Sequence, residues 1–257
     1  MNKKILITGM SGVVGGVLRR HLEKKSGYEL SALTRRKVSG VKSFQGDISD
    51  LESIKPAFLD QDVVVHLAAY LEESLNSEKF SISAEMMANV VGTYNVFEAA
   101  RLAGVKRVVF ASSGSTIKGF EREHPYNIIA AGDYDKAPSS WDKITHNMSR
   151  PDGTYGAAKL WGEELARYFS NEYDMSVLCV RIGRVVEENR PRDVRDFSAF
   201  LSHQDAGEIL HKCIEAPSDL KHDVFFATSD NKWGYRDLDH PRDVLGFVPK
   251  DSAETFR

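Results

Sequence analysis

The stretch KILITGMSGVVGG, residues 4–16, decides the fold of this chain. It begins as a buried strand, ends as the start of a helix, and places Gly9, Gly12 and Gly15 between them in the spacing G-x-x-G-x-x-G. Gly9 allows a tight turn, Gly12 lets the backbone approach a pyrophosphate, and Gly15 lets the helix pack closely on the strand. Free N–H groups at the start of the helix favour a bound anion. The stretch therefore predicts a nucleotide-binding strand–helix unit.

The same alternation of apolar strands and helical patterns continues along the chain. The predicted segments are helices from about Val13 to Lys25, Leu51 to Phe58 and Ser83 to Ala103, and strands YELSAL, DVVVHLAA, RVVFASS and MSVLCVRIG. Strands that are apolar on both faces and separated by helices are typical of a parallel sheet with right-handed crossovers. We therefore predict a doubly wound α/β sheet over residues 1–183. The alternation weakens afterwards, which indicates a small, interleaved C-terminal lobe over residues 184–257.

The end of the second strand, LSALTRRK, bears on which cofactor is bound. An NAD site usually has a carboxylate there for the ribose 2′-hydroxyl, but residues 30–38 contain no acid. Arg35 and Arg36 are suited to a 2′-phosphate, and the alternative is a solvated basic loop. We predict NADP, with NAD as the alternative. Asp47, in QGDISD, is a candidate partner for the adenine amino group.

Composition argues against several classes of function. Thirty-four Lys and Arg against 37 Asp and Glu leave a net charge of −3, so we predict neither nucleic acid nor a membrane as partner. The N-terminus lacks a signal-peptide pattern and no apolar run reaches spanning length, so we expect a cytoplasmic protein. Cys179 and Cys213 are predicted to be buried free thiols in a reducing compartment. The eight histidines show no metal-ligand spacing, so no metal site is predicted.

The segment GTYGAAKLWGEELARYF, residues 153–169, places Tyr155 and Lys159 four residues apart on a predicted helix. Residues at i and i+4 share a helix face, so the phenol and the ammonium can point into one space. Alone, the pattern Y-x-x-x-K favours a half-buried tyrosine beside a lysine that reaches out of the core, because such short patterns often arise by chance. The preceding segment, residues 121–153, is long and polar, and loops of that length are usually functional or disordered.

Several motifs occur in the order found in extended short-chain dehydrogenases/reductases. They are TGMSGVVG, GDISD, HLAA, NVVGTYN, VVFASS, YGAAK and VRIG. The chain resembles this superfamily, the NAD-dependent epimerase/dehydratase family, over nearly its whole length. It is most similar to the uronate-dehydrogenase-like branch, as indicated by YGAAKLWGEELARYF, RPRDVR, LSHQD and LGFVPKDSAE. The resemblance implies an α/β, doubly wound parallel Rossmann sheet with a small C-terminal substrate-binding lobe.

The resemblance also implies roles for individual residues. Tyr155 would transfer the proton, while Lys159 would bind the nicotinamide ribose and help to lower the pKa of the phenol. Ser113 would complete the catalytic trio, with Ser115 as its substitute because the loop looks one residue longer. Asn89 would support the active-site helix or a water relay, or else bond locally within its helix. The cofactor-binding positions are Gly9, Ser11, Gly12, Gly15, Arg35, Arg36, Asp47, Ile48, Leu67, Ala68, Ala69, Asn89 and Lys159.

The predicted substrate-binding residues are Ser115, Arg184 and Arg195. Arg195 matches the arginine that grips the sugar carboxylate in the resembling branch, and Arg184 adds a second cation where that branch places a small hydroxyl. Gly114 and Ser115 stand where the branch usually has Asn-His, so the identity of the substrate does not transfer. Both arginines have an alternative role in a surface network with nearby acids, namely Glu187, Glu188, Asp193 and Asp196.

These features predict an NAD(P)-dependent short-chain dehydrogenase that acts on a hydroxyl of a sugar or sugar acid, with oxidation of an anionic aldose at C1 to the lactone as one form. One alternative is a nucleotide-sugar epimerase or dehydratase, although dehydratases need an acid pair after the active-site serine that SSGSTIKG lacks. The other is a non-catalytic NADP-binding redox sensor, although such proteins commonly lose the Tyr/Lys pair. The superfamily commonly dimerises through the helices predicted around 83–103 and 155–173, so we expect a homodimer.

Overall fold

A computed structural model describes residues 2–70 and 81–257 of the chain. Its strands are β1 (Lys3–Thr8), β2 (Tyr28–Thr34), β3 (Lys42–Gln45), β4 (Val63–His66), β5 (Arg107–Ser113), β6 (Ser176–Ile182) and β7 (His222–Ala227). Its helices are α1 (Val13–Glu23), α2 (Leu51–Ile54), α3 (Ile82–Met86), α4 (Gly92–Leu102), α5 (Tyr126–Ala131), α6 (Thr154–Tyr173), α7 (Asp196–Ala199), α8 (His203–Glu215) and α9 (Asp239–Leu245). In the described residues, no helix is both long enough and apolar enough to span a membrane.

The strands form one parallel sheet in the order β3-β2-β1-β4-β5-β6-β7. Apolar side chains of α1 and α8 pack on one face of the sheet, and those of α2, α4 and α6 pack on the other. Burial on both faces explains why the strand segments are apolar without alternation. The predicted doubly wound sheet is confirmed, and its order reverses between β1 and β4, where open α/β sheets bind ligands.

The C-terminal segment shares this sheet. Residues 203–227 add α8 and the edge strand β7, while residues 184–202 and 228–257 follow the carboxyl ends of β6 and β7. A main-chain hydrogen bond joins residues 184–202 to residues 228–257, since Ser229 N–H donates to the Phe200 carbonyl at 2.8 Å. The central third of segment 184–257, which was predicted as an interleaved lobe, therefore contains one strand of the sheet and one helix that packs on it.

The polar segment 121–153 contains more regular structure than its sequence suggests. It includes α5, and its Ile144 exchanges main-chain hydrogen bonds with Tyr235 and Asp237 at 2.7 and 3.0 Å. Ile144 and Tyr235 are fully buried in a third apolar cluster outside the two sheet faces. A few apolar side chains within a polar stretch thus fix the segment against the C-terminal part of the chain.

The long helix predicted over residues 83–103 is present but is not uniformly α-helical. A π-helical turn, Met87–Val91, lies between α3 and α4 and holds the buried Asn89 at its centre. Both cysteines are buried and free, as predicted, and the reducing compartment inferred from them stays a prediction.

Candidate active site

The glycine turn joins β1 to α1 through two close approaches of the backbone. Gly9 has a left-handed φ of +71°, and a Cβ there would lie 2.7 Å from the Ala68 nitrogen. A Cβ on Gly15 would lie 2.5 Å from the Met10 Cα atom, so only glycine fits at either position. Gly12 precedes α1, and no side chain caps the first turn of that helix. The turn therefore offers helix N–H groups and an uncrowded backbone to an anion.

The ends of β2 and β3 place the remaining cofactor candidates beside this turn. Arg35 and Arg36 are exposed, and neither guanidinium forms an ion pair with an acid of residues 2–70 or 81–257. Asp47 Oδ1 accepts from Ser49 N–H at 2.9 Å and from the Ser49 hydroxyl at 2.7 Å. These bonds lower the pKa of Asp47, and the charge of Arg35 adds to the effect. Arg35 and Asp47 are thus close enough to interact, at the edge where an adenosine ribose would lie in this fold.

A buried hydrogen-bond chain begins at Thr8, on the last residue of β1. The Thr8 hydroxyl oxygen accepts from the N–H groups of Leu67 and Ala68, at 3.2 and 3.1 Å, and lies 2.8 Å from His66 Nδ1. Because the oxygen accepts twice, the hydroxyl hydrogen is directed to Nδ1, which leaves the proton of the imidazole on Nε2. Burial lowers the pKa of His66 to about 3, and the charge of Lys159 acts in the same direction. The imidazole is therefore neutral.

The chain continues into the π-helical turn. His66 Nε2 lies 3.4 Å from the Thr93 hydroxyl, which donates to the Asn89 carbonyl at 2.8 Å. The Asn89 side chain accepts from Tyr70 N–H and donates to the Tyr70 carbonyl, both at 2.8 Å. The amide of Asn89 thus binds the backbone that follows Leu67, Ala68 and the exposed Ala69. Because the Asn89 side chain bonds outside its own helix, the structure favours a role in supporting the backbone after β4 over a purely local bond.

Ser113, Tyr155 and Lys159 meet where β5 ends and α6 begins. The Ser113 hydroxyl is near enough to the Tyr155 phenol to lower its pKa, and the Lys159 ammonium lies 5.6 Å from the centre of the Tyr155 ring. Lys159 is 2% exposed, and its Nζ donates to the Ala111 carbonyl at 2.8 Å. Helical spacing on α6 and the end of one strand therefore bring the predicted trio together.

The two titratable groups of the trio have shifted pKa values. Burial raises the pKa of Tyr155 to about 12, the hydrogen bond from Ser113 opposes the rise, and Glu85 adds to it. Burial lowers the pKa of Lys159 to about 8, although Glu163 acts in the opposite direction. The lowered phenol pKa that the resemblance implies depends on the positive cofactor ring as well as on Lys159, so it stays a prediction for the cofactor complex, while burial raises the pKa in the protein by itself.

A buried ion pair that the sequence analysis did not identify lies one helical turn beyond Lys159. Glu163 accepts from Arg181 Nε at 2.9 Å and from Arg181 Nη2 at 2.8 Å, and Ser112 donates to the same carboxylate. Arg181 Nη1 also donates to the Met148 carbonyl at 2.8 Å. The pair joins α6, β5, β6 and the segment before α6, so it holds the catalytic helix in register with the sheet.

The predicted substrate residues are less free than expected. Arg195 donates from Nε and Nη2 to Glu121 at 2.7 and 2.6 Å, and Tyr235 donates to the same carboxylate. Burial acts to lower the pKa of Arg195, but the hydrogen bond to Glu121 raises it overall. Arg184 Nε lies 3.7 Å from Asp196, one of the acids considered as an alternative partner.

The serines of this region also differ in environment. The Ser113 oxygen accepts from Ser115 N–H at 3.1 Å and acts on the pKa of the phenol, whereas Ser115 lies two residues further from the strand, with its carbonyl against Gly156. The geometry thus favours Ser113 over Ser115 as the partner of Tyr155.

The buried polar residues that no motif in the sequence indicates share one feature of their sequence context. Thr8, His66 and Arg181 are polar side chains inside otherwise apolar strands, and Glu163 lies four residues after Lys159 on the same helix face. Buried polar groups need partners, so such positions indicate a network even where the partner is unknown.

Comparison with known proteins gives consistent matches. The family model described as NAD dependent epimerase/dehydratase family matches residues 5–219. Uronate dehydrogenase of Pseudomonas putida is 30% identical over 99% of the chain and 86% of its own length. L-arabinose 1-dehydrogenase (NAD(P)(+)) of Haloferax volcanii is 29% identical over 98% of both proteins. A solved structure, a mutant of Agrobacterium tumefaciens uronate dehydrogenase complexed with NAD, superposes with a TM-score of 0.82 at 30% identity, covering 100% of this chain and 88% of that one.

Proposed function

The chain belongs to the NAD-dependent epimerase/dehydratase family, and on this premise we propose that it is a dehydrogenase that oxidises a hydroxyl of a sugar or sugar acid, at C1. The observation that carries the proposal is the meeting of Ser113, Tyr155 and Lys159 at the same sheet edge as the glycine turn. Two relatives that act on sugars, the uronate and arabinose dehydrogenases, match almost the whole chain. Two UDP-glucose 4-epimerases are also relatives, but they match a smaller part of it.

The residues around the glycine turn fit a dinucleotide. Gly9 and Gly15 leave no room for a side chain, and the first turn of α1 has no side-chain cap, so the diphosphate would lie against Ser11 and Gly12. Asp47 and Ile48 would flank the adenine, and Leu67 to Ala69 the nicotinamide side of the turn. When bound, the oxidised cofactor accepts a hydride, and its positive ring charge favours the phenolate form of a nearby tyrosine.

Tyr155 would take the proton of the substrate hydroxyl. Ser113 lies beside the phenol, so its hydroxyl would be in reach of a substrate oxygen bound there. Lys159 would bind the cofactor ribose and stabilise negative charge on the phenol, while its bond to the Ala111 carbonyl fixes the ammonium. In this proposal Ser115 lines the substrate side of the site.

Replacing the proton acceptor tests the proposed function. Tyr155→Phe is expected to lower kcat by a factor of about 100 to 10,000, since general base catalysis contributes that much, with cofactor affinity nearly unchanged. Turnover would be followed by absorbance of the reduced cofactor with uronates and neutral aldoses. Tyr168→Phe, on an exposed position of the same helix, is the matched control and should leave kcat unaltered. Full activity in Tyr155→Phe would contradict the proposed role.

The cofactor preferred by this chain is proposed to be NADP. Arg35 and Arg36 are exposed, form no ion pair within the part of the chain that the structure describes, and follow a strand that ends without an acid. NAD is the alternative, since one relative is NAD(P)-dependent and another was solved with NAD.

Titration calorimetry with both cofactors distinguishes them. NADP should bind more tightly than NAD, and Arg35→Ala or Arg36→Ala should weaken NADP by roughly 10- to 100-fold, the range of a charge-assisted hydrogen bond. NAD affinity should stay within about twofold in these variants. Lys37→Ala, at the next exposed cation, is the control. Equal binding of both cofactors by the unaltered protein would mean that the two arginines only belong to a solvated basic loop and do not contact the cofactor.

An anionic sugar is the proposed substrate class, with Arg195 and Arg184 as its cationic contacts. In the structure each guanidinium faces a carboxylate, Glu121 and Asp196 respectively, so an anionic substrate would have to share or displace these partners. A guanidinium edge suits this exchange because it binds any carboxylate through two parallel hydrogen bonds.

The exchange makes opposite predictions for the two members of the Arg195–Glu121 pair. Arg195→Ala should raise KM for a uronate by roughly 10- to 100-fold and hardly change KM for arabinose. Glu121→Gln, which keeps the shape but removes the competing charge, should lower KM for the uronate. Arg192→Ala, which breaks a surface pair with Glu188, is the control. Equal changes for charged and neutral sugars would exclude anion recognition by Arg195.

A homodimer is proposed for the assembly. Large apolar side chains are exposed along α3, the π-helical turn, α4 and α6. They are Ile82, Met86, Met87, Val91, Tyr94, Leu102, Trp161, Tyr168 and Tyr173. The two helical segments are adjacent, since the rings of Tyr94 and Phe169 lie 6.1 Å apart. An exposed apolar surface of this kind favours association with a second copy.

Light scattering at micromolar concentration tests the dimer. Twice the monomer mass of 28.7 kDa is expected, and Trp161→Glu combined with Tyr168→Glu should shift the protein to monomer. Val248→Glu, at an exposed apolar residue remote in sequence from these helices, should not. A monomer for the unaltered chain would contradict the proposal.

A further inference from the structure

Three side chains that can bind a metal meet where α1 packs on α8. His21 lies in the last turn of α1, and Glu208 and His211 lie three residues apart on α8. One ligand atom from each of the three lies within 4.8 Å of the other two, and all three side chains are partly exposed. The catalytic site and the glycine turn use none of them.

His21 presents a nitrogen that the protein does not satisfy. Its Nε2 is buried and, in the described residues, forms no hydrogen bond, with the nearest Glu208 oxygen at 3.6 Å. The ring lies on Gly207, where an added Cβ would be 2.7 Å from the His21 Cγ and Nδ1 atoms. Because residue 207 has no side chain, the His21 imidazole can lie beside the Glu208 carboxylate. A buried polar atom without a hydrogen-bond partner is unusual, and a bound ion is one explanation for it.

The second histidine is held in the tautomer that a metal requires. Tyr28 donates its hydroxyl hydrogen to Glu215 at 3.0 Å, and the same oxygen lies 2.7 Å from His211 Nε2. Since the phenol hydrogen is directed to Glu215, the oxygen accepts from Nε2–H, and the lone pair of His211 is therefore on Nδ1. A hydrogen bond from the remote nitrogen that orients a ligating imidazole is the usual outer contact of metal sites.

We propose that His21, Glu208 and His211 bind one divalent transition-metal ion of the zinc class and so join α1 to α8. Two imidazoles and one carboxylate form a donor set suited to Zn²⁺ and Co²⁺ rather than to Mg²⁺ or Ca²⁺. Bonds of about 2.1 Å in a tetrahedral site place ligand atoms about 3.4 Å apart, so the side chains need only small torsional changes from their present spacing. Water completes the fourth position.

The site is separate from the proposed chemistry. His21 follows the first residue of α1 by eight positions, which is about 12 Å along the helix axis from the glycine turn. Surface cations oppose metal binding, since Lys212 Nζ lies 3.8 Å from Glu208 and the charge of Lys25 lowers the pKa of both His21 and His211. No spacing in the sequence indicates this site, because the ligands come from segments far apart in the chain and only the packing of α1 on α8 brings them together.

Zinc titration of the full chain, stripped with chelator, tests the site. We expect one ion per chain by calorimetry and a rise in Tm of roughly 5–10 °C at a hundredfold excess over Kd. Glu208→Gln and His211→Ala should each weaken binding by at least about tenfold, and Tyr28→Phe by roughly 10- to 100-fold, because it frees the tautomer without removing a ligand. Co²⁺ should give the visible absorption of a tetrahedral complex, lost in the same variants.

Two further variants keep the test decisive if a ligand variant unfolds. Lys212→Met retains all three ligands and should bind zinc as tightly as the unaltered protein or more tightly. His146→Ala removes a ligand from the other cluster of this kind in the described residues, His146 with Asp223 and His240, and should leave binding unchanged. Absence of saturable binding, retention of full affinity in Glu208→Gln and His211→Ala, or loss of binding in His146→Ala would each overturn the proposal.

Discussion

The site depends on how closely the chain after β4 approaches Gly9. A Cβ on residue 9 would lie 2.7 Å from the Ala68 nitrogen, so no side chain fits there. The Thr8 hydroxyl oxygen also accepts from the N–H groups of Leu67 and Ala68, and together these contacts join the ends of β1 and β4 into one unit. These two strands lie on either side of the reversal in sheet order, where ligands of open α/β sheets bind. Any shift of residues 67–68 would therefore move the walls of the cofactor site.

The hydrogen-bond chain that fixes this approach works because its histidine is neutral. A cationic His66 would have two donors and would lose its bond from Thr8, and it would also lie in the field of Lys159. Burial removes that alternative, so the chain runs in one direction from Thr8 to Thr93. Lys159 is held separately, since its ammonium donates to the Ala111 carbonyl at 2.8 Å, and it acts on this chain only through a charge that disfavours a cationic His66.

How much could be predicted from sequence depends on whether a residue acts through its neighbours in the chain. The glycine turn, the sheet and the pair Tyr155–Lys159 follow from short spacings, because turns and helices fix which side chains meet within a few residues. Glu163 with Arg181, Arg195 with Glu121, and His66 with Thr8 join distant segments, and no spacing rule indicates them. The raised pKa of Tyr155 in the protein by itself likewise cannot be read from the sequence, since burial is a property of the packed protein.

The π-helical turn at Met87–Val91 carries a consequence for the ancestry of the chain. A π turn accommodates one residue more than α-helical geometry needs, and such turns are often found at functional sites. Loss of a single codon here would let the helix close into regular α form, but it would rotate α3 by about 100° relative to α4 and take the Asn89 amide away from Tyr70. Substitutions can accumulate along this helix, whereas its length cannot change by one residue without altering the site.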